Sequence, residues 1–395
     1  MKHLLLSLIA AFSITGANAQ WMSTGPLGGG SVNCLAVIDS AVFAGTQNGL
    51  YCTVNNGDSW AQAGVNLPGN LEVTAMATSG RNIVIGTYEG LFISFFISFD
   101  GGSHWAVGNS QAIGYNLNAL LFTGYSILAA TNNGLYMSAD SGNSWTLSGS
   151  GIPPLSQVNM LSRTAYGIFA DDFGNGLFLS TDNGSTWVET DSGINSFDIN
   201  TLITSGPNLL LGTGGGMYLS VDHGVSWRSV SNAGEDLDIT ALANAGETIF
   251  AGSYAGVYTP TDNNAWQYFG TGLPAEYVNC MTTCKGYLYA GVSDTGGVFQ
   301  FSLPDSILSV QQLSLPVAAQ FKLYPNPSVG NCQLAVGNDL VGHVIDVYDA
   351  QGRLVFTSEI RDLQSQINMD LASGIYIATL KTAAGVATQK LVIEK

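Results

Sequence analysis

Residues 176–187 read Gly-Leu-Phe-Leu-Ser-Thr-Asp-Asn-Gly-Ser-Thr-Trp, and the fold follows from how often that pattern returns. Its apolar head reads as a short strand, and its Ser-x-Asp-x-Gly core holds the residues of a tight turn. The Gly-apolar-aromatic triplet recurs at Gly49, Gly90, Gly134, Gly176, Gly216, Gly256 and Gly297, spaced by 41, 44, 42, 40, 40 and 41 residues. Ser-x-Asp-x-Gly-x-x-Trp stands intact four times, carrying Asp100 and Trp105, Asp140 and Trp145, Asp182 and Trp187, and Asp222 and Trp227. Degenerate forms end at Trp60 and Trp266. A unit of about 40 residues with four short strand patterns is a propeller blade. In the first unit those strands are expected over 32–38, 41–45, 50–54 and 59–63.

The ends of the array distinguish a closed ring from an open solenoid. The seventh unit finishes at Phe299-Gln300-Phe301 without a Trp strand, while Gln20-Trp21-Met22 stands alone, 39 residues ahead of Trp60. An N-terminal strand that supplies the missing outer strand of the last blade closes the ring and removes an open edge. Seven blades follow. The second unit repeats Ile93-Ser94-Phe95 as Ile97-Ser98-Phe99, which reads as an insertion at one hairpin.

The repeated turn has a local physical reason. A short Asp side chain accepts backbone N–H bonds within it, Gly takes the positive-φ position, and Trp packs between blades while its N–H finds an acceptor. The Asp and Trp residues of the four intact copies are therefore read as structural, with no catalytic role. The motif resembles the Asp-box (BNR) repeat of sialidases, xyloglucanases, sortilin-type receptors and Ycf48-like photosystem assembly factors, over residues 21 to about 302. The fold class expected is all-β: a seven-bladed β-propeller followed by a small antiparallel Ig-like β-sandwich.

Composition agrees with many short strands and tight turns. The chain has 49 Gly, 10% charged residues and 10% aromatics. Its charge is uneven. Residues 21–302 hold twenty acids against Arg81, Arg163, Arg228 and Lys285, whereas 321–395 hold seven acids and six bases. So acidic a body repels phosphate backbones, and nucleic acid is excluded as a partner. Five cysteines, Cys34, Cys52, Cys280, Cys284 and Cys332, leave at least one thiol unpaired even where disulfides form. Their spacing is no zinc pattern, and they read as small buried hydrophobes.

In a blade, the a–b and c–d turns share one face of the ring and the b–c and d–a connections share the other. The four basic residues map to the first face or its exit strand, so the arginine cluster that sialidases use to hold a carboxylate is missing from the second. A xyloglucanase-like cleft needs two propellers, and only one is encoded here. The b–c and d–a face carries instead acids and aromatic rings. Its candidate binding residues are Tyr88, Glu89, Asp171, Asp172, Phe173, Asp236, Asp238, Tyr254, Glu276 and Tyr277. Glu72, Asp191, Asp198, Glu235, Asp294, Tyr115 and Phe197 are placed there too. Such a surface suits sugars, by hydrogen bonding and stacking, or a basic partner. The segment 171–175 reads as the longest b–c insertion, but lacks the spaced carboxylates of a calcium loop. No metal and no cofactor is expected. At the start of each strand a stands an Asn or Thr (Asn33, Thr74, Asn118, Asn159, Asn200, Thr240 and Asn279), implying a polar ring near the channel mouth that satisfies backbone groups where blades meet. The reading is a non-catalytic glycan- or protein-binding module. The alternatives are an exported glycoside hydrolase or lyase using loop carboxylates, and an assembly factor.

The termini set the compartment. Lys2 and His3, the apolar run 4–14 and Ala17-Asn18-Ala19 form a signal peptide over residues 1–19, cleaved after Ala19. The propeller then spans 20–302 and a linker 303–320. Residues 321–395 carry Tyr324 and Pro325-Asn326-Pro327, Gly330, Val347-Tyr348-Asp349 with Gly352-Arg353, Gly374-Ile375-Tyr376, and Lys390-Leu391-Val392-Ile393. That order resembles the type A C-terminal sorting domain (Por secretion tail) of the Bacteroidota type IX system. The resemblance implies recognition by the type IX machinery, after passage through the periplasm, and a place outside the outer membrane, released or surface-attached. No later apolar run is long enough to span a bilayer as a helix.

Overall fold

A computed structural model describes residues 20–304 and 322–393, apart from 26, 29, 89–91, 110–112, 125, 197, 231–236, 247, 261–265, 275–276, 294–295, 325–330, 336–343, 350–352, 361–363, 370 and 383–384. The signal peptide, most of the linker, Glu89, Asp236, Glu276, Pro325, Asn326, Pro327 and Gly352 therefore lie outside the described residues. The chain divides into two compact units, Met1–Ser309 and Val310–Lys395. All the described elements are strands.

The first unit contains seven four-stranded antiparallel sheets. In blade 1 the strands are Val32–Ile38, Ala41–Thr46, Gly49–Thr53 and Ala61–Gln62, here called a to d from the channel outward. Each strand a packs on strand a of the next blade, and that of blade 7, Val278–Cys284, packs on that of blade 1, so the ring is closed. Strand b lies mid-sheet between two neighbouring blades and is buried on both sides. For that reason it reads as a continuous apolar run, as in Ile127–Thr131, rather than as an alternation. The core is a set of slabs between blades. One holds Phe43 and Leu50 of blade 1 with Ile83, Ile85 and Trp105 of blade 2.

Closure uses the N-terminus, as the solitary Trp21 suggests. Met22–Ser23 is the outer strand of blade 7, with Met22 opposite Gln300 and Ser23 opposite Phe299. Trp21 is 1% exposed, and its indole N–H donates to the Phe269 carbonyl at 2.8 Å. All of the duplicated Ile-Ser-Phe except Phe99 lies within one strand c of blade 2, Ile93–Ser98.

The outer strands are shorter than the sequence suggests, two residues in blade 1 and three in Trp266–Tyr268. Trp105, Trp145, Trp187 and Trp227 stand ahead of their outer strands and turn out of the ladder into the seams, whereas Trp266 pairs with Pro260. The main-chain N–H of Trp187 donates to the Ser150 carbonyl, and that of Trp227 to the Ser192 carbonyl. Within each turn the expected bonds form. The Ser180 hydroxyl donates to Asp182 Oδ1 at 2.8 Å and accepts the Gly184 N–H, while the Thr186 N–H donates to the same Oδ1 at 2.8 Å. Gly184 sits at φ +90°, where an added Cβ would meet Leu128 at 2.9 Å. Asp100, Asp140 and Asp222 make the equivalent bonds. Trp105, Trp145, Trp187 and Trp227 are all buried.

Cys34, Cys52, Cys280 and Cys284 form no disulfides; burial pushes the Cys34 thiol up to about 12 and the Cys52 thiol to about 11.

The second unit has two antiparallel sheets. One orders Lys322–Tyr324, Asn331–Ala335 and Gln364–Asn368; the other orders Leu354–Glu359, Val344–Tyr348, Gly374–Thr382 and Gly385–Ile393. They share one core, in which Leu323 and Leu334 meet Ile345, Val347, Ala378 and Leu391. Arg353 closes its turn on Asp349, with Nε to Oδ2 at 2.7 Å, and the Tyr376 hydroxyl donates to the Ala372 carbonyl at 3.0 Å. Gly374 opens its strand, and Lys390 pairs with Ile377. No helix among the described residues is long and apolar enough to cross a membrane.

Candidate ligand-binding mouth of the propeller

The polar ring is built by a repeated irregularity. In all seven inner strands the register slips by one residue at the Asn or Thr position, from Val32/Cys34 in blade 1 to Val278/Cys280 in blade 7. A β-bulge leaves one residue unpaired and re-aims its side chain. Here it is turned to the neighbouring blade. Asn33 donates to the Val73 carbonyl at 3.0 Å, Asn118 to Val158 at 2.8 Å, and Asn200 to Ile239 at 3.1 Å. Thr240 donates to Val278 at 2.5 Å, and Asn279 returns to Val32 at 3.0 Å, across the seam between last and first blades. The ring thus ties blade to blade, as the sequence suggests, and also frames a cavity of about 460 Å³ that takes in Glu72 and Asn159.

Nearer the opening, each blade presents the side chain two residues ahead of its Asn or Thr. Around the ring these are Ser31, Glu72, Asn116, Gln157, Asp198, Asp238 and Tyr277. Asp198 and Tyr277 are exposed and Asp238 half-buried, held by the Asn200 amide at 3.1 Å. Burial, and then the Asp198 charge, push the Asp238 carboxyl above its ordinary value. Tyr254, in the b–c turn of blade 6, faces Tyr277 with ring centroids 6.1 Å apart.

Asp171 and Asp172 are not loop residues. They end strand b of blade 4, Ile168–Asp172, opposite Met160 and Val158, and both are 0% exposed. Only 173–175 form the b–c connection, which is shorter than the one between Tyr88 and Ile93 in blade 2. Asp172 takes the place held by Thr46, Thr87, Thr131, Thr213 and Ser253 in other blades, and its Oδ2 accepts the Asn175 amide at 3.2 Å. Asp171 takes the place of Gly45, Gly86, Ala130, Gly212, Gly252 and Gly291. No hydrogen bond of good geometry reaches either of its carboxylate oxygens, and the polar group against them is the Asn159 side chain. Burial, then Asp172 and Asp198, push the Asp171 carboxyl up to about 8, an effect the neighbouring Asn159 amide offsets in part. Asn159, for its part, accepts from Asn118 and Gln157.

Of the other sequence-derived candidates, Asp238, Tyr254 and Tyr277 fall on the adjacent blades 6 and 7. Tyr88 and the exposed Phe173 stand on blades 2 and 4. The bases sit elsewhere: Arg81 reaches Asp39 and the Asp100 carbonyl, and Arg163 the Phe122 carbonyl. The replacement at Asp171 escapes a linear reading but not an alignment of the repeats. Phe-Ala-Gly-Thr (43–46), Val-Ile-Gly-Thr (84–87), Leu-Ala-Ala-Thr (128–131), Leu-Leu-Gly-Thr (210–213) and Phe-Ala-Gly-Ser (250–253) stand against Phe-Ala-Asp-Asp (169–172).

Residues 322–394 match the secretion system C-terminal sorting domain. This sorting domain directs secretion through the type IX system, to the cell surface or beyond. No curated protein matches the chain in sequence. Among solved structures, YCF48 bound to a D1 peptide is similar with a TM-score of 0.59 at 16% identity, over 75% of this chain and 98% of that one. YCF48 from Cyanidioschyzon merolae gives 0.56 at 15%, over 73% and 99%. The extracellular domain of the putative one component system BT4673 from B. thetaiotaomicron gives 0.56 at 14%, over 92% of this chain and 52% of that one. At these identities the likeness is one of fold.

Proposed function

We propose that the chain is an exported binding module whose propeller engages its ligand through the b–c and d–a face, at the mouth of the central cavity. The observation that carries this reading is the composition of that mouth. Glu72 and a ring of amides line a polar cavity, with Asp198 and the exposed Tyr277 one and two residues ahead of lining residues Ile199 and Asn279, while the bases of the described propeller lie on the opposite face or its exit strand. The cavity volume, about 460 Å³, is that of a small-molecule or side-chain pocket. A hydrolase is the weaker alternative. Glycoside cleavage needs a protonated carboxyl and an ionised one flanking the bond. Asp171, whose carboxyl holds its proton to about pH 8, is shut away from solvent at 0% exposure.

The test is an array of glycans and peptides probed with the full secreted chain, read for both binding and released sugar. Binding that falls at least tenfold in Tyr277→Ala, with an unchanged melting temperature, is the expected result. Released reducing sugar would replace the reading with an enzymatic one, and binding indifferent to Tyr277→Ala and Tyr254→Ala would move the site off this face.

A further inference from the structure

An Asn-Gly step is where a main chain most readily attacks its own side chain, because glycine leaves the following nitrogen unshielded. The chain contains five, at Asn48, Asn56, Asn133, Asn175 and Asn183. Two of them lie in Asp-box turns, where the glycine nitrogen is engaged: Gly57 donates to the Thr53 hydroxyl at 3.0 Å and Gly184 to the Ser180 hydroxyl at 2.8 Å. The other three occupy b–c turns, and their surroundings differ. The side chain nearest the bare Cα is the Gln62 amide at Gly49 and Leu147 at Gly134. At Gly176 it is the Asp191 carboxylate, whose Oδ2 stands where an added Cβ would go. Asp172 is the cross-strand partner of Gly176, so the two share one face of blade 4. Its Oδ2 accepts from the Asn175 side-chain amide at 3.2 Å. One Asn-Gly step is therefore held between two acids, its amide tied to the residue opposite Gly176. Burial holds the Asp172 carboxyl above its ordinary value, an effect Ser156 and Asn175 offset in part, which favours its keeping a proton.

We infer that Asn175 is a site of self-modification, where the Gly176 main-chain nitrogen displaces the Asn175 side-chain nitrogen with Asp191 as proton acceptor and Asp172 as proton donor. The Gly176 nitrogen attacks Asn175 Cγ and passes its proton to Asp191. The Cγ–Nδ2 bond breaks, and the departing nitrogen takes a proton from Asp172 and leaves as ammonia. A five-membered succinimide remains. Water opens it at either carbonyl, giving aspartate or isoaspartate, and the two acids exchange protons with solvent to return to their starting states. No electrons are transferred: one water enters and one ammonia leaves. Acid–base assistance of this kind speeds a step by about 100-fold or more. The product carries a carboxylate in place of an amide beside the exposed Phe173, and so adds charge to the b–c and d–a face.

The reaction is followed in the full secreted chain, held folded at neutral pH in heavy-oxygen water, by peptide mapping with fragment ions that separate the five positions. Asn175 is expected to take up label at least tenfold faster than Asn48 and Asn133, the equivalent turns without an acid, and faster still than Asn56 and Asn183. Unfolding in urea should bring the five rates together, since the advantage belongs to the folded turn. Asp191→Asn should slow Asn175 to the rate of Asn133 while the other four positions and the melting temperature stay as they were. Asp172→Asn should slow it as well, and Asp191→Asn decides the matter where that buried change disturbs the fold. A rate at Asn175 no faster than at Asn48 and Asn133, or one indifferent to Asp191→Asn, overturns the inference. A site that stays fastest in urea overturns it equally, because the local sequence alone would then account for the rate. The reaction is read on the chain by itself, so loss of the binding-module reading would leave it standing.

Discussion

Asp171 holds a charge-bearing group where its counterparts hold glycine or alanine, and its electrostatics give a pH signature of definite sign. The folded ring keeps the carboxyl protonated to about pH 8, against an ordinary 3.8. A raised carboxyl pKa means the unfolded chain releases its proton first as pH rises. Stability therefore falls between about pH 4 and pH 8 and levels off above. Asp171→Asn should remove that slope, leaving Asp172 and Asp198 in place. The variant's advantage should grow across the window to a few kcal/mol, read as a widening gap in melting temperature. Parallel curves from pH 4 to pH 8 would show that the proton is carried elsewhere. Asp182 makes the opposite case. It lies on the surface, and its bonds to the hydroxyl and main-chain N–H of Thr186, and to Ser180, hold its carboxyl down at about 2. Asp182→Ala should lower the midpoint of chemical denaturation, because the turn loses its acceptor. Ligand binding should be unchanged, since the turn faces away from the cavity.

At the scale of the element, the N-terminal strand and the inner-strand bulge do the organising. Met22–Ser23 is only two residues long, so its hold on blade 7 comes from the buried Trp21 beside it. Trp21→Ala should cost about 3–5 kcal/mol, the usual range for emptying an aromatic site. Limited proteolysis should then cut near residue 20 before any other place. An unchanged unfolding midpoint would mean that the ring closes without that anchor. The strand order and closure were legible because a repeat with a missing last piece and a stray first piece has one economical solution. The outer strands were over-long in the sequence reading, since an aromatic run looks the same whether it pairs in a ladder or turns into a seam. The bulge was not legible at all. A register slip leaves no mark on hydrophobic periodicity, so the Asn/Thr positions could be seen to repeat and to serve the seams between blades, but not to do so through a bulge. Asp171 and Asp172 were misplaced for a related reason. Adjacent acids read as solvated, and only their alignment with the Gly-Thr pairs of other blades puts them inside a strand.

At the scale of the molecule, a compact ring and a separate small β-unit divide the labour. The tail was the most legible part, because its turn residues recur in fixed order, from Gly352-Arg353 through Gly374 and Tyr376 to Lys390; the ligand was the least, because a binding mouth is assembled from residues on different blades. Deleting residues 321–395 should leave the propeller in the periplasm while the full chain is found outside the cell, as judged by fractionation. Normal export of the deleted form would remove the tail from the export route. The closure itself has a temporal side. Met22 is among the earliest propeller residues made and Gln300 among the last, with every blade between them. A growing chain therefore holds an incomplete ring until its whole propeller exists. The residues that address the protein for export come later still, at 322–394. The shipping label is printed only after the article is whole, so a prematurely ended product carries an open seventh blade and no address.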